Sequence, residues 1–528
     1  MRNHNKALWS LLHFLAIISV SICLVTGLRI AVLEHDYLLL VSNILPQGEL
    51  HTLHIFAACG FTVSVFTYIT LMARGQMYSL AKATTRNLSI RYHLLISRLL
   101  YPVSMLSLLS GWLLFWEGFS VDKSLVLFVH YLSALSFIVY ILLHGGVWFV
   151  EYGSMAFVRM IRPLQQRRGK ASLLVFIIVL VPISWLLMTS VSSHTLRVNL
   201  IDVNQHIEIN GEADELQWQL AKPLTLYTHG GANFGDGATP ITLRALYNGS
   251  EIFMYIEWQD DTESLRHLPL VKTEAGWRIQ QNGFHEFNET LFYEDKLAII
   301  LAENCDFAAA GTAHLGPQPL SDKPRHWKGQ GYHYSETGIV DLWHWKAVRT
   351  NQMHMIDDNY IGEPDIVREG YRRYTAGYKA DARESGSYRM NWKWYSRDVV
   401  EPKRLPVKAE WLAPYQANGD IKQAEMPWVL PWFDGEPYSP EKDKYAIGTV
   451  LPSILYTSNQ FEGDRAHVRA FGKWHEGKWS LELFRKLDTG SSNDVAIRDG
   501  ICLWVAAFDH SQIAHTRHVR PIELRMQQ

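Results

Sequence analysis

The stretch from Leu125 to Val150 is apolar for long enough to cross a bilayer, yet it carries two histidines, His130 and His144. A spanning helix needs about 20 mainly apolar residues. At 3.6 residues per turn, fourteen positions bring the second imidazole almost beneath the first, about 21 Å further along the axis. One helix face therefore presents ionisable groups at two depths. Such groups are costly in lipid and usually face a bundle interior.

Four other stretches meet the same length requirement, approximately Ala7–Val32, Leu50–Ala73, Leu94–Trp116 and Ala171–Ser190. The first is too long for the apolar part of a cleavable signal peptide and lacks a small-residue cleavage site, so it reads as a retained anchor. Positive charge gathers in alternate loops: Arg2 and Lys6, then Arg74, Lys82, Arg86 and Arg91, then Arg159, Arg162, Arg167, Arg168 and Lys170. Those loops and the amino terminus are expected on the cytoplasmic side. Five spans would then export everything after Ser190.

Composition separates two solvents. Long apolar runs fill the first 190 residues, whereas the remainder is polar and rich in tryptophan. A net charge of -2 over 528 residues gives no reason to expect a nucleic-acid partner. Cys23, Cys59, Cys305 and Cys502 form neither a Cys-x-x-Cys-His motif nor a zinc spacing, so any haem is held noncovalently. Cys305 and Cys502 could pair in an oxidising compartment, although two ordinary strand residues are the favoured expectation.

Depth decides which membrane histidines can share an iron. His13 and His144 lie at matching depths near the cytoplasmic face; His54 and His130 match near the outer face. Two neutral imidazoles complete six-coordinate haem iron, leave no open position and suit electron transfer. Two b-type haems (heme b) are therefore expected in the bundle. Gly27 falls on the His13 face at the outer depth, where a missing side chain would admit a porphyrin. The third stretch, Leu94–Trp116, has Gly111 and no histidine, as a packing wall would. His51 rivals His54 and could instead touch a propionate.

These residues carry a resemblance. Leu8-Trp9-Ser10-Leu11-Leu12-His13, Thr26-Gly27, His54, Tyr101, Gly111 and the His130/His144 pair resemble the di-haem cytochrome b subunits of formate dehydrogenases and nickel-iron hydrogenases. The resemblance covers about the first 165 residues. It implies a bacterial inner (plasma) membrane protein whose b haems join a periplasmic redox partner to the quinone pool, with quinone near the inner haem. The fifth stretch, leading directly to an exported domain, departs from the basic family subunit.

After Ser192 the pattern shortens. Ile241–Tyr247, Asn248-Gly249 and Ile252–Trp258 read as a hairpin, since Asn-Gly supplies the turn. Leu297–Ala302, His467–Phe471, Trp479–Arg485 and Ile501–Phe508 read as further strands, the middle two joined across Glu476-Gly477. Residues 351–442 are rich in Pro, Gly, Tyr and charge, and read as long loops. The expected whole is a membrane α-helical bundle of five transmembrane helices followed by an exported antiparallel β-sandwich. Its parts are residues 1–170, a fifth helix and linker over 171–195, and the exported domain over 196–528.

Candidate ligands in the exported domain are His314, in the small-residue loop Gly311–Gly316, and His518, flanked by Arg517 and Arg520. The arginines could meet propionates. His344, Lys346, Met353 and Met254 remain open as alternatives. Ile209-Asn210-Gly211 with Asp214 and Trp218, Val340–Lys346, and Ala507–His518 resemble the haem-binding domain of the ethylbenzene dehydrogenase gamma subunit, over roughly Arg197–Met526. That resemblance implies a β-sandwich holding one noncovalent b haem. Methionine and lysine are the ligands in the ethylbenzene enzyme's own subunit, so His518 at the matching position would alter the potential.

The function expected is electron transfer between the quinone pool and an extracytoplasmic redox protein or reductase subunit. A different class is also open: a β-sandwich binding or sensing module, for a carbohydrate or other small ligand, tethered to the anchor. No open-site catalytic motif supports a terminal reductase. A reporter fused after Lys170 is expected in the cytoplasm and one fused after Gln528 outside it; both on one side would remove the fifth span.

Overall fold

A computed structural model of the chain describes residues 3–32, 35–42, 44–47, 50–74, 88–117, 121–165, 193–286, 288–305, 333–335, 338–366, 375–394, 399–412 and 428–527, with scattered positions between 170 and 186. Among them, four helices are long and apolar enough to cross a membrane, not the expected five. These are α1 (Asn3–Ala31), α2 (Leu50–Ala73), α3 (Leu88–Phe115) and α4 (Lys123–Ile141). Ala171–Ser190 lies largely outside the described residues.

The helices pair as two hairpins, α1 with α2 and α3 with α4. Asp122 caps α4 by accepting from the backbone N–H groups of Ser124 and Leu125. Next to it, the buried Lys123 ammonium donates to the carbonyls of Leu113 at 2.6 Å and Trp116 at 3.1 Å. These are carbonyls that the end of α3 leaves without helical partners. Leu95, Leu99, Leu109, Phe128, Leu132 and Val139 point outward and are exposed, as side chains meant for lipid must be. Beyond Ile141 the backbone widens into a π-turn, Leu142–Gly146, before resuming as helix over Val147–Tyr152.

The region after Ser192 is built on one twelve-stranded sheet. In chain order its strands are β1 (His194–Leu200), β2 (Leu224–His229), β3 (Ala238–Tyr247), β4 (Glu251–Gln259), β5 (Lys296–Ala302) and β6 (Val340–Lys346). They continue with β7 (Asp357–Ile361), β8 (Tyr378–Ala380), β9 (Arg469–His475), β10 (Lys478–Lys486), β11 (Cys502–Phe508) and β12 (Ile522–Gln527). The spatial order is β8-β7-β6-β5-β11-β12-β1-β3-β4-β10-β9, with β2 on β3.

This corrects the expected antiparallel sandwich. The sheet is mixed, because β1 runs parallel to both its neighbours, β12 and β3. It also curls into a half-barrel instead of packing flat against a second layer. So many twisted strands do not stay flat. Curling brings the ends together, and the segment before β7 bonds to the far edge through a Met355–Arg469 bridge. The main apolar core holds Trp258, Trp345 and Trp479, which pack against each other with ring centroids 5.0–6.1 Å apart.

Both expected hairpins are present. At the first, Asn248 Oδ1 accepts from Glu251 N at 2.8 Å while Gly249 takes φ +95°. At the second, Glu476 and Gly477 both take positive φ, which matches the strand twist in a two-residue turn. Residues 351–442 differ from the expected loops. Short strands such as Trp392–Trp394, Val400–Pro402 and Arg404–Pro406 bring Trp392, Leu405, Leu412 and Trp428 against Trp277 and Leu270 in a second apolar core. Short, Pro-containing strands lack the period-2 signal that marks longer ones.

The segment before β2 is fixed by a buried carboxylate. Glu482 on β10 accepts from the backbone N–H groups of Asn210 and Gly211 and from Trp218 Nε1, each at 3.0 Å. Removing that acceptor leaves buried donors unpaired. Glu482→Ala is expected to lower unfolding free energy by about 3 kcal/mol. Denaturant titration of the detergent-solubilised protein checks this, and an unchanged midpoint would remove Glu482 from that role.

Candidate functional site

Near their amino-terminal ends, α2 and α4 turn His54 and His130 toward each other, with ring centroids 6.3 Å apart and planes at 77°; this is the pair expected at the outer depth. Each ring is held by its Nδ1. Thr26 Oγ1 lies 2.9 Å from that of His54; Ser110 Oγ at 3.1 Å and the Ser107 carbonyl at 3.2 Å hold that of His130. Each ring also lies against a glycine of the neighbouring helix. A Cβ on Gly27 would come within 3.1 Å of His54 Cε1, and one on Gly111 within 3.1 Å of His130 Cε1.

That donor set fits a b-type haem. Metal–imidazole bonds of about 2 Å on both sides of an iron put the two ring centroids roughly 6 Å apart. Hydrogen bonding at Nδ1 fixes tautomer and ring orientation and leaves Nε2 for the metal.

The inner site has three imidazoles. His144 sits in the π-turn, a device frequent at functional positions, with Tyr140 stacked on it at 5.2 Å. His13, stacked on Trp9 at 4.9 Å, lies within electrostatic reach of His144. The third, His93, is 5.4 Å from His144 between ring centroids, and its Nε2 is 3.5 Å from a Glu151 carboxylate oxygen. The expected third segment held no histidine, because it began at Leu94. The helix starts six residues earlier, at Leu88; polar residues at its amino-terminal end hide that start.

A joint links bundle and sheet just above the outer pair. Glu117, completely buried beyond the end of α3, accepts from His194 Nε2 at 2.9 Å and from the Val519 N–H, while its own carbonyl accepts from Tyr227 N at 3.1 Å. Arg520 lies over the rings of Phe115 and Trp116. Burial pushes the Glu117 carboxyl up, but the His194 hydrogen bond, nearby His518 and the Val519 N–H together hold it below the usual range. His51 faces Arg517 across this joint, and its Nδ1 is buried without a hydrogen bond among the described residues. His229, whose imidazole is depressed to about 4 by burial and by Arg517, lines the same place.

Of the exported-domain candidates, His314 lies outside the described residues. His518 is buried with both nitrogens engaged: Nδ1 with the Arg520 carbonyl at 2.8 Å, and Nε2 accepting from Val505 N at 3.0 Å. Lys346 is committed to Asp357 and Tyr388. Met254 and Met353 are buried in the apolar core. His344 stacks on Phe508 at 5.4 Å, its Nε2 buried without a hydrogen bond among the described residues. Cys305 and Cys502, favoured as unpaired, form a disulfide.

Sequence reasoning also missed two carboxylate–histidine groups able in principle to hold a metal ion: Asp295, Asp509 and His510, and Asp358, His467 and Asp494. Asp295 is more than two hundred residues from Asp509 and His510, and Asp358 more than one hundred from His467 and Asp494, so no spacing motif announces either group. The chain is thus a membrane-anchored protein whose C-terminal domain carries clusters suited to metal or ligand coordination.

The family model described as ethylbenzene dehydrogenase matches residues 215–520. The chain belongs to the ethylbenzene dehydrogenase family. Within this ethylbenzene dehydrogenase-like region lie β2 to β11 and both metal-capable groups; the membrane helices lie before it. No curated protein matches the chain. A carbohydrate-binding module of family 9 from Caldicellulosiruptor kristjanssonii, in complex with glucose, aligns at 10% identity and TM-score 0.22, covering 63% of this chain and 97% of that one. A protein from Bacteroides uniformis ATCC 8492, provisionally described as carbohydrate-binding, aligns at 8% identity and TM-score 0.26, covering 63% and 91%. Similarity at that level carries no functional information.

Glu117 gives a pH test. A carboxyl depressed by folding adds stability above its unfolded pKa of about 4.3 and loses it as pH falls toward the folded value. Glu117→Gln should therefore lower the melting temperature at pH 7, by the equivalent of about 2 kcal/mol. The gap should close on acidification below about pH 4. A gap of constant size down to pH 3 would rule out the charged carboxylate as its source.

Proposed function

We propose that the chain is a transmembrane electron carrier, with b-type haems linking the quinone pool to an extracytoplasmic redox partner. The observation that carries this is the outer pair: two imidazoles at iron-bridging separation, each fixed at Nδ1 and each backed by a glycine. Haem bound there supplies one-electron transfer, with no open iron position. Thr26, Ser107 and Ser110 keep the rings oriented, and Gly27 and Gly111 leave room beside them.

The inner centre is assigned to His13 and His144, with His93 as a neighbour that orients or competes. The resemblance of the membrane half to di-haem cytochrome b subunits supports quinone near this end. An extracytoplasmic location is supported by the Cys305–Cys502 disulfide, which persists in oxidising compartments. Membership of the ethylbenzene dehydrogenase family supports one further b haem in the exported domain; His314 and His518 remain its proposed ligands. Iron on His518 would take the place of one of its two present hydrogen bonds.

A second reading, a tethered ligand-binding or sensing module, is favoured by the Asp295–Asp509–His510 group, where buried carboxylates converge in the exported domain.

The two separate by haem content. Full-length protein purified in detergent should hold two membrane haems and one in the exported domain. His130→Ala should lose the outer one, and Gly27→Leu, which drives a side chain into the His54 ring, should do the same without removing a ligand. His144→Ala should lose the inner haem and abolish quinol-dependent reduction. A colourless wild-type protein that binds a small ligand would replace the carrier by the module.

A further inference from the structure

Where the ends of the curled sheet meet, neighbouring residues of β7 have opposite fates. Strand alternation turns Asp357 and Asp358 to opposite faces. Asp357 is fully partnered, accepting from the Lys346 ammonium, from Arg465 Nε at 2.8 Å and from the Tyr388 hydroxyl at 2.6 Å. Asp358 is equally buried, at 0% exposure, and neither of its carboxylate oxygens has a hydrogen bond among the described residues. Native proteins rarely leave such a group unsatisfied.

Asp358 points at Asp494 and His467, one ligand atom of each lying within 4.8 Å of the others. Asp494 Oδ2 accepts from His467 Nδ1 at 2.8 Å and from the Thr489 hydroxyl at 2.5 Å, while its Oδ1 is buried and has no hydrogen bond among the described residues. Asp381, just beyond β8, faces Asp494 and Asp341, with Asn493 beside it. Asp464 borders the group 3.8 Å from His467 Nε2. Against these carboxylates stands the Arg485 guanidinium, and it is committed to Asp341 and to the Val495 carbonyl. Buried carboxylates at this density require neutralisation.

We propose that Asp358, Asp494 and Asp381 hold a hard divalent cation of the calcium class, which ties the two ends of the half-barrel together. The donors are oxygens, as such a cation prefers. His467 donates its Nδ1 proton to Asp494 and has Asp464 3.8 Å from its Nε2, so its assigned task is to position these carboxylates, the oxygens being the ligands. The three carboxylates come from β7, from the residue after β8 and from the loop after β10. The cation therefore reinforces the seam already marked by the Met355–Arg469 bridge and by the Ile356 N–H to Val468 carbonyl bond. The proposal is independent of haem.

The test uses the full chain in detergent, stripped with chelator and titrated with calcium chloride. One calcium per chain by calorimetry and elemental analysis is expected, with a rise in melting temperature that equal ionic strength of sodium chloride does not reproduce. Asp358→Asn should abolish both the binding and the rise. Asp381→Asn should weaken calcium affinity at least tenfold, and keeps the question open to measurement if Asp358→Asn fails to fold. His467→Ala should retain calcium binding with lower affinity. Failure of the wild-type protein to take up calcium overturns the proposal, leaving the carboxylates protonated. Uptake of zinc in place of calcium, lost in His467→Ala, overturns it as well.

Discussion

Glu117 is the interaction on which the relation between the two halves depends. A carboxylate with no solvent access, placed just past the end of α3, survives only if its charge is answered on all sides. The answers come from three parts of the C-terminal domain: His194 at the start of β1, the Val519 N–H ahead of β12, and Tyr227 on β2, which bonds its carbonyl. Lys123, one loop later, closes the end of the same helix. The tail Thr516–Arg520 is part of this joint: Val519 bonds Glu117, Arg520 lies over Phe115 and Trp116, and Arg517 faces His51. Any displacement of the domain relative to the bundle would expose Glu117 or strip its partners, so the joint also holds Arg517 against His51.

What was legible in the sequence follows from the range over which each signal acts. Spans α1 to α4 were legible because length and hydropathy are local, and the closeness of the His54 and His130 rings because depth in a bilayer turns sequence position into a third coordinate. The Asn248-Gly249 and Glu476-Gly477 turns were legible because backbone sterics act within four residues. His93 was missed through a boundary, with the helix beginning in polar sequence that hydropathy assigns to a loop. The π-turn was also invisible, so the face shown by His144 could not be read from the fourteen-residue spacing alone.

Long-range pairings were not legible at all. Nothing near His194–Leu200 says that its neighbours are β12 and β3, both parallel, yet that pairing makes the sheet mixed. Glu482 shows the same limit from the side of motifs. Asn210-Gly211 and Trp218 form a local pattern, but the carboxylate that binds them lies more than two hundred residues away. The favoured view of Cys305 and Cys502 as ordinary strand residues failed for the same reason, since closeness between residues 197 positions apart is a property of the fold.

The outer and inner histidine sites differ in how firmly they are built. At the outer site each ring has a hydrogen bond to Nδ1 and a glycine at its edge, so little freedom remains to be lost when a metal is bound. The inner site relies on aromatic stacking. His144 Nδ1 has no hydrogen bond among the described residues, and the adjacent Gly145 and Gly146 border open space. Glu151 and His93 bring a carboxylate and a second imidazole to that same opening. A rigid outer centre suits fast electron exchange with little reorganisation. Under the proposed function, the site flanked by Glu151 and His93 would be the one given to quinol, whose oxidation releases protons as well as electrons.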